Sequence, residues 1–265
     1  MRKGPWHDAG ALLSWGAIFL AALAQLAGAP WATGFGLLFF LLGLAHGAGD
    51  ENEGSIARIK AIHAVAYLVI GAAIAGLFLV APLAGLVLFL ALSAWHFARS
   101  DFTFAPLTRF AIAGLAVGGS ALFRQNETAA VFAFLIGGDV PSSIIRLLAL
   151  IGGLGAGCAL LALFKSNRGF GHAIIALLAA VLLQPVLAVG LIFLVTHAIP
   201  VQQRQLTAYG RRAVIDAVLL PSAAAIIGAV VVAVLVTQDL LALPVAVALA
   251  FGMATPHMLT ERLER

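Results

Sequence analysis

Seven histidines punctuate a chain that is otherwise poor in polar residues: His7, His46, His63, His96, His172, His197 and His257. Neutral imidazole is the commonest transition-metal ligand and titrates near physiological pH, so such residues can hold a metal or relay a proton. Two of them open similar local patterns. "HGAGD" puts Asp50 four residues after His46, on the same face if a helix continues, and "HFARSD" puts Asp101 five after His96, just past a helix end. A carboxylate bonded to a metal-bound histidine orients the ring and raises its basicity. The plainer reading makes both aspartates the first loop residues after an apolar run. In "TPHM", Pro256 directly before His257 frees a backbone carbonyl and bends the helix, which helps to aim a side chain inward.

The elements that position these residues are apolar. Of 265 residues, 63% are hydrophobic and 10% charged, and runs of membrane-crossing length recur from end to end. That composition indicates an all-α polytopic transmembrane helical bundle, because a soluble core would lie beneath a charged skin that this chain lacks. Read between charges, spans fall near residues 9–28, 32–49, 60–80, 83–99, 107–123, 144–164, 213–236 and 240–258. Residues 128–138 are too short to cross at about 1.5 Å per residue and fit a re-entrant or interfacial element. Residues 169–200 are too long for one untilted span and short for two, and Gln184-Pro185 must break or kink them. Pro221 is expected to kink the span that holds it. The total is about 8–10 membrane segments, kinked or re-entrant pieces included. No repeat or linker divides residues 1–265, which read as a single integral membrane domain. The first apolar run reads as a retained span, being long for the core of a cleaved signal. Cys158 is the sole cysteine, so no intramolecular disulfide and no CxxCH haem attachment is available.

Lysine and arginine mark alternate loops, and the turns near Pro30, Pro82 and Asp239 carry none, which places the amino terminus in the cytoplasm. The net charge of +4 is therefore explained by membrane topology, without a nucleic-acid partner. Arg124 and Arg146 are the exceptions. On this map His46, His96, His197 and His257 lie at cytoplasmic ends of spans, and His63 and His172 enter at the same side. His7 belongs to the polar amino-terminal tail. Singly, each reads as a helix-end cap or a headgroup-level residue. Together they can form a bundle metal site, and ionisable groups cost up to roughly 3 kcal/mol at mid-bilayer, which makes them functional by default.

"GLAHGAGD" (43–50), "WHFARSD" (95–101), "FLVTHAIP" (193–200) and "TPHML" (255–259), in this order in a polytopic chain, resemble the Brp/Blh family of bacterial and archaeal β-carotene 15,15'-oxygenases. The resemblance implies cleavage of the central double bond of β-carotene by dioxygen to two retinal molecules, at Fe(2+) held by histidines in a prokaryotic inner (cell) membrane. A retinal product further implies a functional link to a retinal-binding rhodopsin. By matching position, His46, His96 and His197 are the catalytic metal ligands. The family pattern then has an arginine and a histidine three and four residues after the third ligand, where this chain has Pro200 and Val201. His257 is the candidate for completing four, with His172 or His63 as substitutes, and Asp50 and Asp101 would brace the ligands. Trp95, Phe97, Phe193 and Phe251 are the expected lining of an apolar substrate tunnel. Iron nearer the cytoplasmic surface than the mid-plane would require a centrally cleaved polyene to lie tilted or curved beneath that leaflet.

Two other classes fit some of these features. A proton-coupled transporter or channel would use the histidines as a relay, but it needs polar residues strung through the membrane depth, and mid-span positions offer few beyond Gln25, Gln184 and scattered hydroxyls. A membrane cytochrome would use them as axial haem ligands. A retinal-bearing rhodopsin fits poorly, since Lys3, Lys60 and Lys165 all sit at membrane edges and none is placed mid-span for a Schiff base.

Overall fold

Apolar runs fold as helices because the bilayer offers backbone groups no partner, and prolines mark where several of them begin. The computed structural model describes residues 5–47, 50–52, 55–57, 61–100 and 102–260. In chain order these form α1 (Pro5–Ala27), α2 (Ala29–Gly43), a 3₁₀ turn (Leu44–Gly47), β1 (Asp50–Asn52), β2 (Ser55–Ala57), α3 (Ala61–Val80), α4 (Pro82–Ser100), α5 (Pro106–Phe123) and α6 (Gln125–Ile136). There follow α7 (Ser142–Phe164), α8 (Phe170–Leu182), α9 (Pro185–Phe193), a π-helical turn (Leu194–Ala198), α10 (Ile199–Tyr209), α11 (Arg211–Thr237) and α12 (Leu243–Thr260). Pro5, Pro82, Pro106 and Pro185 each open a helix, where a missing N–H leaves no bond unmade. Among the described residues 7 helices are long and apolar enough to cross a membrane, and three shorter apolar stretches, Ala64–Val80, Phe170–Leu182 and Leu243–Pro256, accompany them. The chain is thus a polytopic helical membrane protein.

Most expected spans coincide with helices, and the departures have local causes. α2 stops at Gly43 and passes through the 3₁₀ turn, after which Asp50↔Ala57, Glu51↔Ile56 and Asn52↔Ser55 pair as antiparallel strands. The helix that would have put Asp50 on the face of His46 therefore does not continue. Residues 128–138 fall largely in α6, whose 12 residues are shorter than a span. α1 begins at Pro5, so His7 belongs to a helix and not to a tail. Pro221 and Pro256 lie inside α11 and α12.

The ambiguous region 169–200 breaks at Gln184-Pro185, as its sequence requires. The backbone N–H of Gln184 donates to Gln25 Oε1 at 2.9 Å, and its Nε2 donates to Thr33 Oγ1 at 3.1 Å and to the Ala29 carbonyl at 3.4 Å. These bonds satisfy polar groups that the broken helix exposes. The second limb gains length from an unexpected source: α9, the π turn and α10 run on as one 25-residue segment, Pro185–Tyr209, through Arg204. Glutamine and arginine are good helix formers, so the polar "VQQRQ" extends the helix where a charge-based boundary would end it.

The chain divides into two compact units. The first comprises Met1–Gly43, Ser93–Ala133 and Val140–Arg204. Its centre is α5, in which every residue from Ala111 to Ala121 is buried. Gly114 and Gly118 of α5 meet Gly155 and Gly152 of α7 with no room for a side chain: a Cβ on Gly118 would stand 2.1 Å from the Leu148 carbonyl oxygen. A similar crossing joins α2 and α9, where a Cβ on Gly190 would lie 2.4 Å from the Gly36 carbonyl oxygen. Small residues allow such approaches, and van der Waals packing then holds helices together where lipid offers no hydrophobic gradient. The second unit comprises Leu44–Leu92, Phe134–Asp139 and Gln205–Arg265. There α3 packs on α12 with Gly71 against Gly252, the Tyr67 hydroxyl donates to the Met253 carbonyl, and Ile56 of β2 is buried against Val214, Ala217 and Val218 of α11.

Candidate metal centre

The local backbone around His197 is irregular for a reason written in its sequence. Pro200 has no N–H to give the Thr196 carbonyl, and its ring would crowd that carbonyl in a regular α-helix. The chain instead widens by one residue, with the Ile199 N–H donating to the Leu194 carbonyl. Single π turns of this kind gather at functional sites because they re-aim side chains. Thr196 Oγ1 adds a bond of 2.7 Å to the Ile192 carbonyl within the disturbed turn. Every residue from Leu194 to Ala198 is buried, and His197 is 2% exposed.

His96, from the last turns of α4, is also buried and faces His197. Their Nε2 atoms are 3.0 Å apart, with ring centroids at 4.9 Å and planes at 75°. Two nitrogens each about 2.1 Å from one ion at a right angle would be about 3 Å apart, so the pair has the spacing of two neighbouring ligands. Phe97 meets the His197 ring edge-on at 5.0 Å, and Phe193, one turn before His197, lies tilted at 6.0 Å. Phe193 can occupy that place because α2 presents Gly43: a Cβ there would come 2.1 Å from its ring. Phe193 also stacks on Phe40 at 5.5 Å. The pair is thus walled by aromatic carbon, which excludes water and strengthens electrostatic interactions within.

His46 is carried by the 3₁₀ turn and is buried. His96 and His197 can each offer a ring nitrogen to one shared ion. An all-imidazole set without thiolate suits first-row metals such as iron, copper and zinc, and it leaves positions open for other ligands.

The other expected site residues fare differently. Asp101 lies outside the described residues, as do the side chains of Asp50, His63 and His257, although His257 falls within α12 and His63 within α3. His172, in the first turn of α8, lies against Phe104 at 4.7 Å. Val201, at the place of the family's further histidine, is buried. Of the aromatics expected to line a tunnel, Phe97 and Phe193 flank His197. Trp95 is half-buried on α4, and Phe251 stacks on Phe89 at 4.1 Å within the second unit. Gln205 was not singled out from the sequence; it lies in a polar run that resembles a loop, and its Nε2 donates to the His46 carbonyl at 3.3 Å.

Comparison with known proteins gives one match. The sequence model described as Beta-carotene 15,15'-dioxygenase matches residues 37–263. No curated protein and no solved structure matches. The matched range takes in most of the chain, including the buried histidines and the π turn, and the chain belongs to the β-carotene 15,15'-dioxygenase family.

Proposed function

We propose that this protein cleaves the central 15,15' double bond of β-carotene with dioxygen, leaving an aldehyde on each carbon and hence two molecules of retinal. The proposed ligands of a ferrous ion are His46, His96 and His197, with His257 as the fourth. The observation that carries this reading is the approach of the buried His96 and His197 nitrogens to 3.0 Å. Neutral imidazole nitrogens at that spacing can both point lone pairs at one shared cation. Iron bound there would supply the activation of dioxygen toward the double bond.

The chain's own residues have complementary tasks. Phe97 and Phe193 offer ring faces and edges to a flat polyene and keep water from the reacting carbons. Trp95 and Phe251 are proposed to extend that apolar lining, and Asp50 and Asp101 to brace ligand rings through hydrogen bonds. The histidine-bearing helix ends are assigned to the cytoplasmic leaflet of a prokaryotic inner membrane, with the amino terminus inside. A polyene cleaved at its centre there lies tilted beneath the leaflet, and a retinal-binding rhodopsin is a fitting recipient of the product. A haem cytochrome is a poorer fit, because two axial nitrogens on one haem stand about 4 Å apart across the ring, and His96 and His197 are closer than that.

Expression in a bacterium that accumulates β-carotene tests this reading. Loss of colour with retinal appearing, abolished in His96→Ala and His197→Ala variants that still reach the membrane, is the expected result. Unchanged carotenoid with iron supplied, or a purified protein without bound iron, would remove it.

A further inference from the structure

The 3₁₀ turn that carries His46 is a weak platform. It ends a helix, where the last carbonyls lack intrahelical donors, and 3₁₀ hydrogen bonding is poorer than that of an α-helix. A metal ligand on such a turn needs something else to fix its backbone. Among the polar residues of α10, Gln202, Gln203, Arg204 and Tyr209 are half-buried and Thr207 is exposed, whereas Gln205 is 2% exposed. Burying a primary amide is costly unless it is bonded, so a buried glutamine signals a polar group it must serve. Its Nε2 donates to the main-chain carbonyl of His46 at 3.3 Å, and both residues belong to the same compact unit.

We propose that Gln205 is a positioning residue for His46: by bonding its carbonyl it sets the orientation of the 3₁₀ turn and so the direction in which the imidazole leaves the backbone. This rests on His46 being a metal ligand. The contribution of Gln205 is to reduce the reorganisation that ligand binding would otherwise demand of a loose turn. Outer partners of metal ligands typically change metal affinity about 10–100-fold when removed.

The test compares wild type with Gln205→Leu and Gln205→Glu, each purified at full length in detergent. Fe2+ affinity is measured without oxygen by competition with a chelator, alongside the melting temperature of the metal-free protein and steady-state cleavage. Gln205→Leu removes the donor at similar volume, and Gln205→Glu keeps the shape while turning the donor into an acceptor. Both are expected to weaken Fe2+ binding about tenfold or more and to lower kcat with KM for β-carotene unchanged, and Gln205→Leu, which buries no charge, is expected to leave the metal-free melting temperature near wild type. Iron affinity equal to wild type in either folded variant overturns the assignment. A loss of affinity that only tracks a fall in melting temperature does so too, since a merely structural role predicts it. Should Gln205→Leu fail to fold, Gln205→Glu decides. A wild-type protein that takes up no Fe2+ would sink the iron reading itself, whereas normal wild-type binding with normal variant binding sinks only the role of Gln205.

Discussion

The helix α5 and an 18-residue stretch of the continuous segment Pro185–Tyr209 are buried to the same degree, 67% of each, yet they are built on opposite principles. α5 is a run of glycine, alanine and small aliphatics without an ionisable group between Arg109 and Arg124, and its backbone is regular throughout. Pro185–Tyr209 carries a histidine, a threonine that bonds its own backbone, a π turn and a buried glutamine. Burial alone therefore says nothing about purpose. In α5 it serves contact between backbones, and in the second segment it shields polar groups that must be aimed.

The largest effect expected from breaking this comparison falls on α5. Gly118→Val would set side-chain carbon against the Leu148 carbonyl and the Gly152 nitrogen, which stand 2.1 and 2.4 Å from an added Cβ. Both are backbone atoms, so no rotamer change relieves the clash and α5 must part from α7. Overpacking commonly costs about 1–3 kcal/mol and occasionally more, and a backbone clash along a whole helix crossing belongs at or above the upper end. The expected outcome is loss of most folded protein from the membrane, with iron per folded molecule unchanged in what survives. Size-exclusion recovery in detergent, together with metal content, measures both. A well-folded Gly118→Val protein would show that the crossing is looser than the glycines imply.

A smaller effect of the opposite kind is expected at the π turn. Pro200→Ala restores an N–H that can bond the Thr196 carbonyl and removes the ring that disfavours a regular turn. If the turn tightens to 3.6 residues, His197 swings by up to roughly 100° about the helix axis. Iron affinity and cleavage should then fall about tenfold, the lower end of what disturbing a ligand's support produces, while the melting temperature holds or rises. Stability and activity would move in different directions, whereas Gly118→Val moves them through the amount of folded protein alone. Unaltered activity in Pro200→Ala would mean that contacts of the π turn, and not the proline, hold its shape.

The contrast also marks what the sequence made legible. The helical membrane class and the proline break at Gln184-Pro185 follow from hydropathy and proline chemistry, and the choice of His46, His96 and His197 as candidates from motif resemblance, all local signals. The two-stranded pair at Asp50–Ala57 was missed because a short polar stretch between apolar runs has no periodicity to read. Gln205 was missed because the feature that distinguishes it, burial against the turn of His46, is tertiary: in sequence it looks like its neighbours Gln202 and Gln203. The π turn had a visible cause in Pro200, but a proline there equally suits the end of a helix, and only packing decides. Val201, buried where the family pattern has a histidine, is legible as a departure but not as a consequence.

The least effect is expected where hydrophobicity is greatest. α11 is the longest of the apolar helices, rich in valine, isoleucine and alanine, and of its 27 residues only Val214, Ala217, Val218 and Ser222 are buried. A soluble protein with such a helix would have it at the centre of its core. Here Ile227 is 63% exposed, and its neighbours in a membrane are acyl chains that solvate leucine and isoleucine as well as protein does. Ile227→Ala removes area that was never taken from water on folding, leaves no cavity, and breaks no hydrogen bond. Its expected cost is within about 0.5 kcal/mol, the range of substitutions away from packed features, with Fe2+ affinity and cleavage at wild-type levels. A melting temperature in detergent that fell as far as that of a core truncation, about 2–5 kcal/mol, would mean that α11 is covered by another protein surface, and that the difference between it and α5 is one of partner and not of solvent.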